Sequence, residues 1–201
     1  MSVSVLLCGQ ADETEWTKIF NGKDLEGWTS SRDNPNSIRV EKGLLVVDGP
    51  RAHLYYTGPV ENHDFSDFEF RAKVKTFPKA NSGIYFHTRY QADGWPRLGY
   101  ECQVNQTHGD PKKTGGLYNV ADNYDQVATD GEWFDYYIRV KGRRIVVKID
   151  GKVVTDYTET DESPHLRGNP GRRIGSGTMA IQAHDPNSVI HYKEIYIRPL
   201  K

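Results

Sequence analysis

Glu101 and Gln103, Gln182 and His184, and the series Tyr85, His87 and Arg89 recur two residues apart along short stretches of the chain. A spacing of two places side chains on one face of a β-strand. Together these faces offer one acid, two imidazoles, one guanidinium and two amides. The carboxylate and imidazoles can move protons. The guanidinium and amides can hold hydroxyls or a developing oxyanion. Such a set suits a sugar site. Trp95-Pro96, just before the Glu101 strand, offers a platform for stacking on a sugar ring. The competing reading makes all of these a solvated outer face, with each His half-exposed on its strand. Gln and His in place of Lys, Glu and Thr favour a site. The stretches 69–73 and 139–148 carry ordinary charged residues and read as the wet face.

Strands must position these groups. Phe68, Phe70, Ala72 and Val74 alternate with Glu69, Arg71 and Lys73. The same period of two runs through Ile84–Arg89, Tyr100–Val104, Ile138–Lys141, Arg144–Ile149, Met179–His184 and Ile195–Arg198. Lys141-Gly142-Arg143 and Asp150-Gly151 read as tight hairpins, and Asp185-Pro186-Asn187-Ser188 as a turn. No segment of ten residues carries a helical period. Many short strands with frequent Gly-containing turns predict an all-β sandwich or jelly roll of two packed antiparallel sheets. Two long loops are expected, about 105–131 and 159–176; segments of that kind are functional lids or disordered.

The chain has 201 residues, 26 Lys+Arg and 27 Asp+Glu, for a net charge of −1. That balance argues against a nucleic-acid partner and gives no steering toward acidic membranes. No stretch is apolar enough for a membrane span. Cys8 and Cys102 cannot build a disulfide framework or a zinc site, and Cys102 reads as a buried thiol. Residues 1–15 hold a short apolar run, then small and acidic residues. They read as an atypical leader, which points to export, or as a disordered tail; residues 16–201 read as one domain. Nucleophile-elbow, Walker, HExxH and Rossmann patterns are missing. No cofactor is predicted and no close metal-ligand spacing is found. A calcium site on loop Asp and Asn oxygens stays open. Two-carboxylate glycosidases need acids about 5–5.5 Å or about 6.5–9.5 Å apart. Glu101 has Gln103 as its same-face neighbour, so a second acid would have to come from a loop, such as Asp110 or Asp122. The oligomeric state is not legible.

The order of short signatures is more specific than any one of them. Ile19-Phe20-Asn21-Gly22-Lys23-Asp24-Leu25 is followed by Gly27-Trp28. Then come Asp67-Phe68-Glu69, Asn81-Ser82-Gly83-Ile84, Gly99-Tyr100-Glu101-x-Gln103, Gly116-Leu117-Tyr118, Gly131-Glu132-Trp133, Gln182-x-His184 and Ile195–Leu200. Over residues 16–201 this resembles the 3-keto-disaccharide hydrolase domain family. The resemblance implies a concanavalin A-like β-sandwich, typically exported from bacteria, acting on sugars oxidised at C3. A C3 ketone acidifies the C2 proton, so the aglycone at C1 can leave by elimination and water can add back. That route needs a base, an acid and an enolate stabiliser, but no carboxylate pair. Glu101 and His184 are then the candidate base and acid, in either order. Arg89 and Gln103 would stabilise the enolate or orient hydroxyls, with His87, Gln182 and Trp95 as further substrate-binding groups. His87 and His191 stand where many relatives carry Arg. A carbohydrate-binding domain without turnover is the alternative, and an adhesion domain using the long loops a third.

Overall fold

The computed structural model describes residues 15–201; residues 1–14 of the expected leader, Cys8 among them, lie outside. Fifteen strands follow in chain order: β1 (Thr17–Lys18), β2 (Trp28–Ser30), β3 (Ile38–Glu41), β4 (Leu44–Asp48), β5 (Ala52–Tyr56), β6 (Phe68–Thr76), β7 (Asn81–Thr88) and β8 (Tyr100–Asn105). They continue as β9 (Lys113–Leu117), β10 (Ala121–Asn123), β11 (Phe134–Lys141), β12 (Arg144–Ile149), β13 (Lys152–Thr158), β14 (Thr178–Ala183) and β15 (Val189–Pro199). One sheet runs β13-β12-β11-β6-β15-β4-β3, with β1 added beside β15. The other runs β10-β9-β8-β7-β14-β5-β2. Every pairing is antiparallel. Two antiparallel sheets sharing one core make the expected concanavalin A-like sandwich.

Alternation dictates which side chains meet between the sheets. Phe68, Phe70, Ala72 and Val74 of β6 and Ile138 and Val140 of β11 point inward. From the facing sheet come Ile84, Phe86, Tyr100, Cys102, Val104 and Ile181. Burial of this apolar surface drives folding at about 25 cal/mol per Å². Cys102 is free, and burial pushes its thiol pKa up, so it acts as a core residue. On the outer face of the eight-stranded sheet Arg71 is exposed and Lys73 and Lys75 are half-buried, as expected, but Glu69 is buried and accepts from Tyr137 (2.7 Å) and Arg198. Asp150 and Gly151 both take positive φ, as a tight β12–β13 hairpin requires.

One of the two loop expectations changes. The long loop expected at 105–131 contains β9 and β10, whose Gly115-Gly116 pair carries no alternation to betray a strand. Residues 159–176 do form a long loop, broken only by a helical turn at His165–Gly168. Among the described residues no helix is long and apolar enough to cross a membrane.

Candidate active site

The outer face of the seven-stranded sheet is buried although, among the described residues, no third sheet covers it. His53, Asn81, Tyr85, Glu101, Gln103 and Gln182 all point that way and all are nearly inaccessible. The register explains the grouping. Gln182 pairs with His53 across β14 and β5, and Tyr85 pairs with Glu101 across β7 and β8. Loops at 89–99 and 159–176 wall this face. Gly99 N–H donates to Gly171 O (2.9 Å) and joins the two loops. The second loop is tied down at several points. Glu159 accepts from Ile174 N–H (2.9 Å) and from the Tyr100 hydroxyl, and His165 Nε2 donates to Arg172 O (2.8 Å). A cleft of about 770 Å³ remains, lined in part by Trp95, Leu98, Glu101, Gln103, Tyr118, Arg172, Gln182 and His184.

Glu101 sits at the floor, 5% exposed. Its Oε1 accepts from Gln182 Nε2 (3.0 Å), and Arg172 Nη2 lies 3.5 Å from Oε2. Gln182 Nε2 also reaches the Tyr85 hydroxyl (3.0 Å). Burial raises the Glu101 pKa above its ordinary value, opposed by Arg172, Tyr85 and Gln182. The group therefore holds a proton at higher pH than a surface carboxyl. Gly83 makes room for it: a Cβ there would stand 2.5 Å from Glu101 Oε1.

Around Glu101 several buried polar atoms have no partner among the described residues: Gln103 Oε1, Gln182 Oε1 and Arg172 Nη1. Leaving such groups unpaired costs about 1–3 kcal/mol each. Acceptors and a donor converging on one cleft are what hydroxyls and a carbonyl would satisfy. His184 lies just past β14. Its Nδ1 is 2.6 Å from Asp185 Oδ2, and its ring packs 5.1 Å from Trp95. Trp95 is 42% exposed at the rim. His53 lies beneath it, fully buried, 5.6 Å from both Trp95 and Tyr85. Burial, helped by Arg51, pushes the His53 pKa down to about 4.

Glu101, Gln103, Gln182, His184 and Trp95 thus meet in one cleft. His87 and Arg89 do not, and their expected place on this face is corrected. Between the pairs Tyr85–Ala180 and Thr88–Thr178, β7 has two residues where β14 has one. This is a β-bulge, and His87 takes φ +54° within it. The alternation slips there. The His87 ring turns against Phe68 and Phe86, donates Nε2–H to Ser66 O (2.8 Å), and accepts Gly175 N–H at Nδ1 (3.2 Å). Arg89, beyond the strand, pairs with Asp64 (3.1 Å) and donates to Ser176 O (2.8 Å) at the surface. Among the described residues no group of three or more His, Cys, Asp or Glu side chains gathers to hold a metal.

Sequence reasoning passed over His53 and Arg172. His53 sits in the run Ala52–Tyr56, buried throughout, so no alternation marks its face. Arg172 lies in a Gly- and Pro-rich loop with no period.

Several solved structures share the fold. A candidate glycosyl hydrolase of Parabacteroides distasonis superposes with a TM-score of 0.77 at 22% identity, covering 92% of this chain and 94% of that one. A non-specific endo-β-1,3(4)-glucanase of family GH16 gives 0.59 at 15% identity, covering 93% and 95%. The carbohydrate-binding module CBM66 of Bacillus subtilis gives 0.54 at 12%, covering 93% and 97%. A search of curated proteins finds no match. The model of the 3-keto-alpha-glucoside-1,2-lyase-like domain matches residues 15–198, and the chain belongs to that family.

Proposed function

We propose that this protein is a carbohydrate-active enzyme that cleaves 3-keto-glycosides by elimination across C1–C2, followed by hydration. One observation carries the reading. Glu101 is the only acid among the residues lining the cleft, it is buried with a raised pKa, and unpartnered amide and guanidinium atoms surround it. A single carboxyl does not serve a two-carboxylate glycosidase. It does serve proton transfer next to a ketone.

In the forward step the C2 proton passes to a base and the C2–H electron pair forms the C1=C2 bond. The C1–O bond breaks and the leaving oxygen takes a proton from an acid. Glu101 and His184 are those two groups. Arg172 Nη1 meets the C3 oxygen as enolate charge develops on it. Gln103 and Gln182 accept from ring hydroxyls. Water then adds at C1 of the enone and a proton returns to C2, which gives the free 3-keto sugar.

Binding without turnover is the second reading, favoured by the exposed face of Trp95 at the cleft rim. The test pairs a disaccharide with its 3-keto form in D2O, with and without divalent metal, followed by mass spectrometry. Cleavage of the 3-keto form alone, with deuterium at C2, is the expected outcome. Binding of either sugar with cleavage of neither moves the assignment to the binding module.

A further inference from the structure

We infer that Asp185 is a positioning residue that makes His184 the proton acceptor of the cleft and leaves Glu101 as its proton donor. The inference rests on the elimination reading above and assigns the direction that reading left open.

The geometry starts at the turn after β14. Asp185 Oδ2 sits 2.6 Å from His184 Nδ1. A carboxylate only accepts, so Nδ1 carries the hydrogen in that contact. The other ring nitrogen, Nε2, then bears the lone pair. No described residue hydrogen-bonds it, and the ring lines the cleft. Asp185 is itself held. Its Oδ1 accepts from Ser188 Oγ–H (3.0 Å), and Ser188 Oγ accepts from Asn81 N–H (3.0 Å) at the start of β7. Ser188 is fully buried. The carboxylate is therefore tied to the strand that carries Gly83 and Tyr85 at the cleft floor.

A second imidazole faces the same oxygen. His108 Nδ1 accepts from Asp110 N–H (3.0 Å), so its Nε2 carries a hydrogen, 3.6 Å from Asp185 Oδ2. Two N–H groups thus converge on one carboxylate from opposite rings 6.0 Å apart. This leaves Asp185 committed as an acceptor and His184 Nε2 free to take a proton. Glu101 has no such orienting carboxylate; Gln182 and Arg172, as donors, favour its ionised form and burial opposes them. With His184 as the acceptor, Glu101 is the group left to donate to the leaving oxygen.

Two measurements test the assignment. The first needs no substrate. Long-range 1H–15N correlation of the free protein, at about pH 8 where imidazoles are neutral, reports which His184 nitrogen carries hydrogen. His184→Gln assigns the signal. The Nδ1–H form is expected in the wild type, with a shift toward Nε2–H in Asp185→Asn; Nε2–H in the wild type overturns the inference. The second compares methyl and 4-nitrophenyl 3-keto-glucosides, the latter having a leaving group that needs no acid. Glu101→Gln should lose the methyl substrate and keep most turnover of the 4-nitrophenyl one. Asp185→Asn should lose about 10²-fold in kcat on both, with KM retained. Loss of both in Glu101→Gln, with the 4-nitrophenyl substrate spared in His184→Gln, overturns it. If Asp185→Asn does not fold, Ser188→Ala removes the donor to Oδ1 and should move both readouts the same way. If the wild type cleaves neither substrate, the elimination reading falls, and the tautomer alone decides whether Asp185 positions His184.

Discussion

Gly83→Ala should disable the cleft while leaving the sandwich standing. The methyl group would arrive 2.5 Å from Glu101 Oε1 and 2.8 Å from its Cγ, where ordinary contact begins at 3.4 Å. The carboxylate must therefore retreat by about 0.9 Å. Retreat breaks the 3.0 Å bond from Gln182 and changes the approach of Arg172. A misplacement of about 1 Å at a reacting group costs on the order of 10² in rate. Overpacking costs about 1–3 kcal/mol. Gly83 is not in the left-handed region, so the loss of unfolded-chain entropy returns about 0.4–1 kcal/mol. The expected net is a loss of about 1–2 kcal/mol by these terms. Urea unfolding and steady-state turnover of a 3-keto-glycoside read the two effects. The Glu101→Ala background supplies the control. With the side chain truncated, the three atoms nearest the new methyl are gone and its stability cost should shrink, a coupling visible in a double-mutant cycle. Wild-type turnover in Gly83→Ala, or the same stability cost with and without Glu101, would refute the argument.

His53→Phe should flatten the pH dependence of stability. The folded-state pKa of about 4 lies below the free imidazole value of 6.5, so the unfolded chain binds more protons between them. The neutral ring's contribution is whole above pH 6.5 and is lost as pH falls toward 4, up to about 3 kcal/mol by linkage, which unfolding midpoints at a series of pH values would reveal. Trp95→Ala should weaken sugar binding by about tenfold through lost stacking of about 1 kcal/mol or slightly more, measured by calorimetry, with a modest fall in melting temperature because the ring covers His53 and packs on His184. Arg89→Ala should leave turnover unaltered and stability within about 1 kcal/mol, because its pair with Asp64 is half-exposed and remote from the cleft; a large drop in kcat would place Arg89 back in the site.

Alternation made most of this architecture readable. Phe68–Thr76 and Phe134–Lys141 announce their buried and wet faces residue by residue, and the fold follows from many such strands joined by Gly turns. The same rule placed Glu101, Gln103 and Gln182 on one face, because β8 and β14 keep strict period through those residues. It failed at His87 because one inserted residue in β7 reverses the count, and only the partner strand's register shows the insertion. It was silent on His53, whose neighbours in β5 are buried on both faces. Arg172 reaches Glu101 by the return of a long loop, and no local pattern encodes where a loop returns. Asp185 was legible as a turn residue, but its grip on His184 depends on Ser188 and Asn81, the latter about a hundred residues upstream.

The cleft has a floor made of strands and walls made of loops, and the two answer to different constraints. Glu101, Gln103 and Gln182 are fixed by hydrogen-bonded register, so none can move without its neighbours. Trp95, Leu98 and Arg172 ride on segments joined to each other by the Gly99–Gly171 bond and held to the strands through side chains, Tyr100 on Glu159 and His87 on Gly175, rather than through ladder register. Insertions in those segments can reshape what enters while Glu101, Gln103 and Gln182 keep their spacing. Apart from Arg172 and His184, the floor and the walls of the cleft are thus separately adjustable, and on the elimination reading proposed above a wall exchanged between two such sandwiches should carry its aglycone preference with it.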